Sequence, residues 1–338
     1  MSREVTPGII SLATYIPSPR ISAEELAART GLPLWVVREK LGVIEKAVPG
    51  PDDHPHEMAV KAGRKALRRA NIDPDRINLV ISMTEEYKEY PMMTTGIALT
   101  HDLGLHNAWA FDIAQRCGTG VLAVKVAKDL MQADPRIEYA LIAGGYQNVD
   151  LIDYANPRVR FMYNLGAGAG SLVVKRDADE NRILGNAMLT DGDFSRDVLS
   201  PRGGTMAVLG DWERPFLDVH DPVAMKDRLE HRSMRNFLRV VHEALQESGI
   251  SVSDIGYLSL LHMKRSAHEA ILRALNLRSE QSIYLDHYGH LGQVDQVLST
   301  ELALSEGRIR HGDYVVWVSA GIGYAWDALV IQWGKGRD

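Results

Sequence analysis

Ten short apolar runs recur along this 338-residue chain, and most are separated by amphipathic stretches of helix length. The runs at 8–15, 77–83, 108–113, 139–144, 169–175, 182–189, 256–261, 282–286, 314–319 and 328–333 read as strands. Helical periodicity occupies 23–30, 57–71, 94–103, 118–133, 223–248, 267–277 and 293–306. Strands that alternate with helices need crossover connections, so the pattern predicts an α/β body with mostly buried sheets. The pattern also echoes itself. Asn71-Ile72-Asp73-Pro74-Asp75-Arg76 followed by a strand resembles Ser248-Gly249-Ile250-Ser251-Val252-Ser253-Asp254 followed by a strand. Each half closes on a strand that runs into glycines, at Gly144-Gly145 and at Gly321-Ile322-Gly323. The economical account is two copies of one α/β unit, 1–180 and 181–338.

Composition narrows the function classes. A net charge of −6 offers no global attraction to nucleic acid or to an anionic membrane. One cysteine excludes an intramolecular disulfide framework and a multi-cysteine zinc site, and no metal site is expected. The first residues carry no hydrophobic signal core, and no stretch approaches the ~20 apolar residues of a membrane span. The expectation is a soluble, cytoplasmic protein without nucleic-acid or membrane partners.

The single cysteine, Cys117, lies between the strand-like run 108–113 and the helical run that follows it. A thiol near a helix N-terminus meets unpaired N–H groups that favour thiolate, although an isolated cysteine is more often a small buried hydrophobe. Two histidines stand at comparable junctions. His262 follows Leu260-Leu261, and His290 closes Tyr288-Gly289-His290 before a helix. Loops at strand C-termini are where α/β proteins place their sites, and imidazoles there can orient a thiolate or move protons near neutral pH. Together the three residues suggest a nucleophile with imidazole partners.

The order of these elements resembles the thiolase superfamily, most closely ketoacyl-ACP synthase III and secondarily the hydroxymethylglutaryl-CoA synthases. The likeness runs nearly end to end. It includes the opening strand 8–17, the segment 35–43 with Trp35, Leu165-Gly166-Ala167-Gly168-Ala169-Gly170, 307–313 and Gly321-Ile322-Gly323. The resemblance implies a five-layered αβαβα sandwich, internally duplicated, that acts as a homodimer. By the same resemblance Cys117 accepts an acyl group from a CoA or acyl carrier protein thioester, with no permanently bound cofactor. His262 then matches the active-site histidine, and the backbone N–H groups of Cys117 and Ile322 form the oxyanion hole. Trp35, Arg38 and Lys40 fall in the CoA-contacting segment, and Tyr90 falls where an aromatic side chain reaches the partner subunit's acyl pocket. Segments 92–99, 147–162 and 201–209 are expected to contribute pocket-lining residues.

The chain departs from the family pattern at three places. Ketoacyl-ACP synthase III has His-Gly-Asn where this chain has Tyr288-Gly289-His290. The family amide helps bind the malonyl carbonyl. A histidine still donates through a ring N–H, so decarboxylative condensation is retained with altered pH sensitivity. Glu85 resembles the general acid/base glutamate of hydroxymethylglutaryl-CoA synthases, but Glu85-Glu86 beside Lys88 also reads as a solvated carboxylate pair, which is the reading favoured here. Arg116, next to the nucleophile, would lower the thiol pKa, face an acidic acyl group, or point away into a salt bridge. The expected activity is ping-pong acyl transfer to Cys117 followed by condensation with a malonyl-type thioester. The alternatives are aldol condensation through Glu85, acyl transfer to an oxygen, nitrogen or sulfur acceptor, and a non-catalytic acyl-carrier-binding subunit.

Overall fold

A computed structural model describes residues 5–202, 204–205 and 215–335. Its main sheet contains β1 (Gly8–Tyr15), β4 (Leu79–Ser82), β5 (Trp109–Asp112), β6 (Tyr139–Tyr146), β7 (Gly168–Lys175), β8 (Arg182–Thr190), β11 (Ile255–Leu260), β12 (Tyr314–Gly321) and β13 (Ala325–Gln332). Two small ribbons pair β2 (Arg20–Ser22) with β3 (Glu45–Ala47) and β9 (Val198–Leu199) with β10 (Asp218–Val219). The helices are α1 (Ala23–Thr30), α2 (Pro55–Ala70), α3 (Thr95–Leu103), α4 (Thr119–Ala133), α5 (Pro222–Glu247), α6 (Arg265–Ala274) and α7 (Asp295–Ser305).

The strand order is β11-β12-β13-β8-β1-β7-β6-β4-β5. Between β8 and β1 a single residue pair, Gly8↔Arg182, carries the ladder, so two half-sheets meet at a corner. The first half runs β1-β7-β6-β4, antiparallel twice and then parallel. The second runs β8-β13-β12-β11 with the same sequence of directions. The expected strand at 282–286 does not form. Its backbone turns instead into the β3 ribbon, where Asp286 O accepts from Ile44 N (2.8 Å) and Glu45 N (3.2 Å). An edge segment with a second backbone partner has no need of the sheet.

Period-2 alternation along the strands sorts the core into layers. Leu79 and Ile81, Leu172 and Val174, Val315 and Trp317, and Leu329 and Ile331 point inward, onto Val121, Val124 and Ala127 of α4 and Val297 of α7. Val80, Leu141 and Val173 face the other way, onto Ala59, Val60 and Leu67 of α2 and Leu99 of α3. Val316, Val318, Ala328 and Val330 face Val240, Val241 and Ala244 of α5 and Ile271 of α6. The result is helix, sheet, helix, sheet, helix. α4 and α7 are apolar on several faces because each is covered by both half-sheets.

Helix boundaries follow local chemistry. The Ser22 side chain accepts from Glu25 N at the start of α1, and Asp221 caps Val223 N and Ala224 N ahead of Pro222 in α5. α2 ends on Asn71 in the left-handed conformation (φ 50°). Among the described residues no helix is long and apolar enough to cross a membrane.

Candidate active site

Strands β4, β5 and β6 run parallel, as do β11 and β12, so the residues after their C-terminal ends collect at one edge. Those residues are Glu85 after β4, Cys117 after β5, Asn148 after β6, His262 after β11 and Ile322 after β12. Cys117 sits in a tight turn before α4. Gly118 N donates to Gln115 O (3.1 Å), Thr119 N to Arg116 O (2.9 Å), and Thr119 Oγ1 accepts from Gln115 N (2.8 Å). Arg116 takes φ 54°, a left-handed conformation that costs a non-glycine residue about 1–2 kcal/mol. Two glycines bring the halves together over this turn. A Cβ on Gly120 would stand 2.4 Å from Gln293 O, and one on Gly321 would stand 2.2 Å from Gln115 O.

The close approach at Gly120 carries the segment before α7 up to the thiol. His290 Nε2 lies 3.1 Å from Cys117 Sγ, and His290 Nδ1 lies 2.6 Å from Asp295 Oδ2. Asp295, the first residue of α7, is fully buried. Its Oδ2 also accepts from His262 N (2.7 Å), and its Oδ1 accepts from Leu291 N (2.7 Å). One carboxylate therefore holds both histidine segments, and the helix N-terminus favours its charge. The arrangement is a Cys-His-Asp relay in which the carboxylate keeps Nδ1 protonated and turns Nε2 toward sulfur.

The electrostatics follow from this layout. Burial works against a charged His290, but the Asp295 carboxylate and then the Cys117 sulfur hold its pKa well above the usual imidazole range. Burial holds the Cys117 thiol above the usual thiol range, and the adjoining His290 offsets part of that rise. Asp295 favours a proton on His290, whose Nε2 lies within hydrogen-bond reach of the sulfur. His262 differs. Burial lowers its pKa to about 3, and neither ring nitrogen has a partner. It stays neutral at physiological pH, its ring 4.8 Å from that of Tyr284.

Glu85 is not the solvated carboxylate that its neighbours in sequence suggest. It is 3% exposed, Asn148 Nδ2 donates to its Oε2 (2.7 Å), and its Oε1 is unpartnered. Burial raises its pKa to about 7. Lys88, its expected companion, pairs instead with Asp112 at 3.0 Å. The solvated carboxylate is Glu86, which pairs with Arg116, so the Arg116 guanidinium is engaged outside the thiol's first contacts.

A cavity of about 390 Å³ opens above Cys117, His262 and His290, with Ile322 in its wall. Apolar side chains including Phe161, Leu229, Phe237, Met263, Ile271 and Trp326 form most of its lining. Phe161 and Met162 come from the expected 147–162 segment, whereas the α5 and α6 contributions were not anticipated. None of the lining residues comes from 92–99, and residues 203 and 206–209 of the third expected segment lie outside the described residues. A larger recess of about 980 Å³ lies at the opposite ends of β11 and β12, away from the thiol. Trp35 is 59% exposed, and Arg38 pairs with Glu24. Lys40 is also on the surface of this segment, whose terminal Gly42 packs against Tyr284. Tyr90 is 69% exposed and does not line this cavity.

Asp295, Tyr146, Asn148 and Asn164 join the site without having been singled out in the sequence. The buried Tyr146 ring lies 6.1 Å from that of His290. An acidic residue heading an apolar helix, five positions after a candidate histidine, was the available signal for Asp295.

Known proteins are similar to this chain over most of its length. The family model described as 3-Oxoacyl-[acyl-carrier-protein (ACP)] synthase III matches residues 111–192, and its C-terminal counterpart matches 245–333. Together they span about half of the chain. The beta-ketoacyl-[acyl-carrier-protein] synthase III of Wolbachia pipientis wMel is 25% identical over 96% of this chain and 98% of its own. That of Symbiobacterium thermophilum is 25% identical over 97% and 98%. The crystal structure of 3-oxoacyl-[acyl-carrier-protein] synthase III from Aquifex aeolicus superposes with a TM-score of 0.84 at 20% identity, covering 97% of this chain and 100% of that one. With its duplicated layers and a cysteine at the head of the central helix, the chain belongs to the 3-oxoacyl-[acyl-carrier-protein] synthase III family, thioester-dependent condensing acyltransferases of the thiolase fold.

Proposed function

We propose that Cys117 takes an acyl group from a CoA or acyl carrier protein thioester and passes it to a malonyl-type thioester with loss of CO2. The observation that carries this is Cys117 Sγ at 3.1 Å from the Asp295-backed His290 Nε2, at the foot of an apolar cavity. The sulfur attacks the thioester carbonyl, and the oxyanion meets the N–H groups of Cys117 and Ile322, donors worth about 3–4 kcal/mol each in comparable sites. Collapse expels the donor thiolate, which takes the proton held by His290. In the second half-reaction the malonyl group loses CO2, and its enolate oxygen accepts a hydrogen bond from neutral His262. Because its pKa is lowered to about 3 the ring stays a neutral imidazole, and the N–H of a neutral imidazole is too weak an acid to give its proton to the enolate. The enolate carbon attacks the acyl-Cys117 carbonyl and the Sγ thiolate leaves; a proton from solvent then returns to His290, replacing the one given to the donor thiolate.

Trp35, Arg38 and Lys40 belong to the segment that ends at Gly42 against Tyr284, the ring neighbour of His262, and they suit the nucleotide end of CoA or an acidic carrier protein. The halves 1–180 and 181–338 supply the nucleophile and the histidines respectively. A homodimer is supported by the unpaired edge strand β5, with exposed Trp109 on it and exposed Tyr90, Met92 and Ile97 nearby in sequence.

The His290–Asp295 pair favours a second use of the same acyl-enzyme. An amide at position 290 could only donate to a carbonyl, whereas this imidazole can take a proton from an acceptor hydroxyl, amine or thiol. Intact-mass measurement after incubation with a panel of acyl-CoAs tests the shared step. A mass gain that is lost in Cys117→Ser is expected, and no adduct from any donor would sink both readings. Adding malonyl-CoA to the acyl-enzyme then separates them. CO2 release with a 3-oxoacyl product supports condensation, and deacylation by simple nucleophiles without CO2 supports heteroatom transfer.

A further inference from the structure

Lys46 lies in β3, is fully buried, and is paired with no carboxylate among the described residues. Its Nζ donates to Tyr163 O (2.8 Å), Leu165 O (2.7 Å) and Tyr154 Oη (2.8 Å). Three acceptors match the three donors of an ammonium, and the Tyr154 ring lies 5.0 Å from it. Burial, and then the charge of Arg29, lower its pKa to about 7. A buried amine is tolerated only where its donors are satisfied, as these are by the two carbonyls and the tyrosine hydroxyl.

The two carbonyls it binds flank Asn164. Asn164 O accepts from His290 N (2.9 Å), and Gly166 N donates to His290 O (2.9 Å). His290 is thus aligned strand-like against 164–166, and Leu165 and His290 form a parallel bridge. The backbone of the same ribbon ties in both partners. Ala47 N donates to Tyr288 O (3.0 Å), and Ala47 O accepts from Ala167 N (2.9 Å). A Cβ on Gly289 would come within 2.9 Å of Lys46 Cβ, so the lysine stem also packs under the turn that presents His290.

We propose that Lys46 is a positioning residue for His290: by binding the carbonyls on either side of Asn164, it holds the strand-like partner that aims the imidazole at Cys117. It touches neither substrate nor thiol and acts through the backbone of 163–166. The role rests on Cys117 and His290 working as a pair, and the test separates the two ideas.

The readout is the pH dependence of alkylation by iodoacetamide, which in this single-cysteine chain reports Cys117 alone. Lys46→Met removes all three donors, and Lys46→Gln keeps two for the carbonyls so that a folded variant is available. Each is checked by its melting curve. The expected result is an alkaline shift of the alkylation midpoint, by about one pH unit in Lys46→Met and less in Lys46→Gln, which is the size of shift a loosened charge partner produces. Lys46→Arg, which restores the charge and the donors, is expected to return the midpoint to that of the parent. A purely structural lysine would lower the melting temperature and leave the midpoint in place, and that result in a folded Met or Gln variant overturns the proposal. If parent Cys117 alkylates no faster near neutral pH than an ordinary thiol, the Cys117–His290 pairing fails and the Lys46 role falls with it. If the parent is accelerated and the folded variants match it, only the Lys46 role fails.

Discussion

Replacing Asp295 by Asn tests the centre of the site with almost no change in shape. The parent carboxylate accepts three hydrogen bonds, from His290 Nδ1, His262 N and Leu291 N. An amide oxygen can keep the one from Leu291 N. The amide NH2 would then face two donors, and the imidazole resolves the clash by moving its proton to Nε2. His290 then presents an N–H to sulfur and is no longer a base. At an effective dielectric of about 20, opposite charges about 4 Å apart are worth about 4 kcal/mol. At 1.36 kcal/mol per pKa unit, that is about three units of imidazole basicity, or on the order of 1,000-fold less reactive sulfur at neutral pH. The backbone N–H of His262 loses its partner in a buried position, which costs about 1–3 kcal/mol of stability. Single-turnover acylation followed by intact mass, with a denaturant titration alongside, measures both effects. A folded Asp295→Asn protein that acylates at the rate of its parent would refute the relay.

Three further outcomes follow from neighbouring groups. His262→Ala is expected to acylate Cys117 at close to the parent rate and to lose on the order of 100-fold or more in CO2 release from malonyl-CoA, since only the second step uses that donor. Equal losses in both steps would remove His262 from the enolate role. Glu85 binds its proton more tightly in the folded protein (about 7) than at its usual value of 4.5. Stability therefore falls as pH rises from 4.5 through 7, by about 3 kcal/mol, and stays low above that window. Glu85→Gln is expected to gain on its parent by about that much more at pH 8 than at pH 4.5, as read by urea unfolding; the same difference at both pH values would mean the carboxyl is solvated. Ala267→Phe places a ring in the cavity wall and is expected to slow acylation by long-chain acyl-CoA while sparing acetyl-CoA. Parallel losses across chain lengths would place the acyl group elsewhere.

Much of the architecture was legible because it rests on local periodicity. Alternation along Leu79-Val80-Ile81 and Val315-Val316-Trp317 marks strands covered on both faces, and these residues do divide between two different helix layers. The segment 282–286 misled for the same reason. Its composition suits a strand, but composition does not say which backbone groups will be its partners, and here they are those of Ile44 and Glu45. Cys117, His262 and His290 could be found because reactive side chains at strand–helix junctions stand out against apolar surroundings. Glu85 could not be placed, since Glu85 and Glu86 look alike in sequence and only the packing against Asn148 separates a buried carboxyl from an exposed one.

The sequence alone determined the layered α/β plan, its internal echo and the candidate nucleophile, because hydrophobic period and junction chemistry are properties of neighbouring residues. The tertiary structure alone decided which imidazole faces the sulfur, what stands behind it and which charges are dry. Cys117 and His290 are 173 residues apart, and Lys46 and Leu165 are 119 apart. Contacts at such separations arise from how two half-sheets close on their shared helices. Burial, which turns Glu85 into an acid near pH 7 and His262 into a neutral donor, exists only once that closure is made.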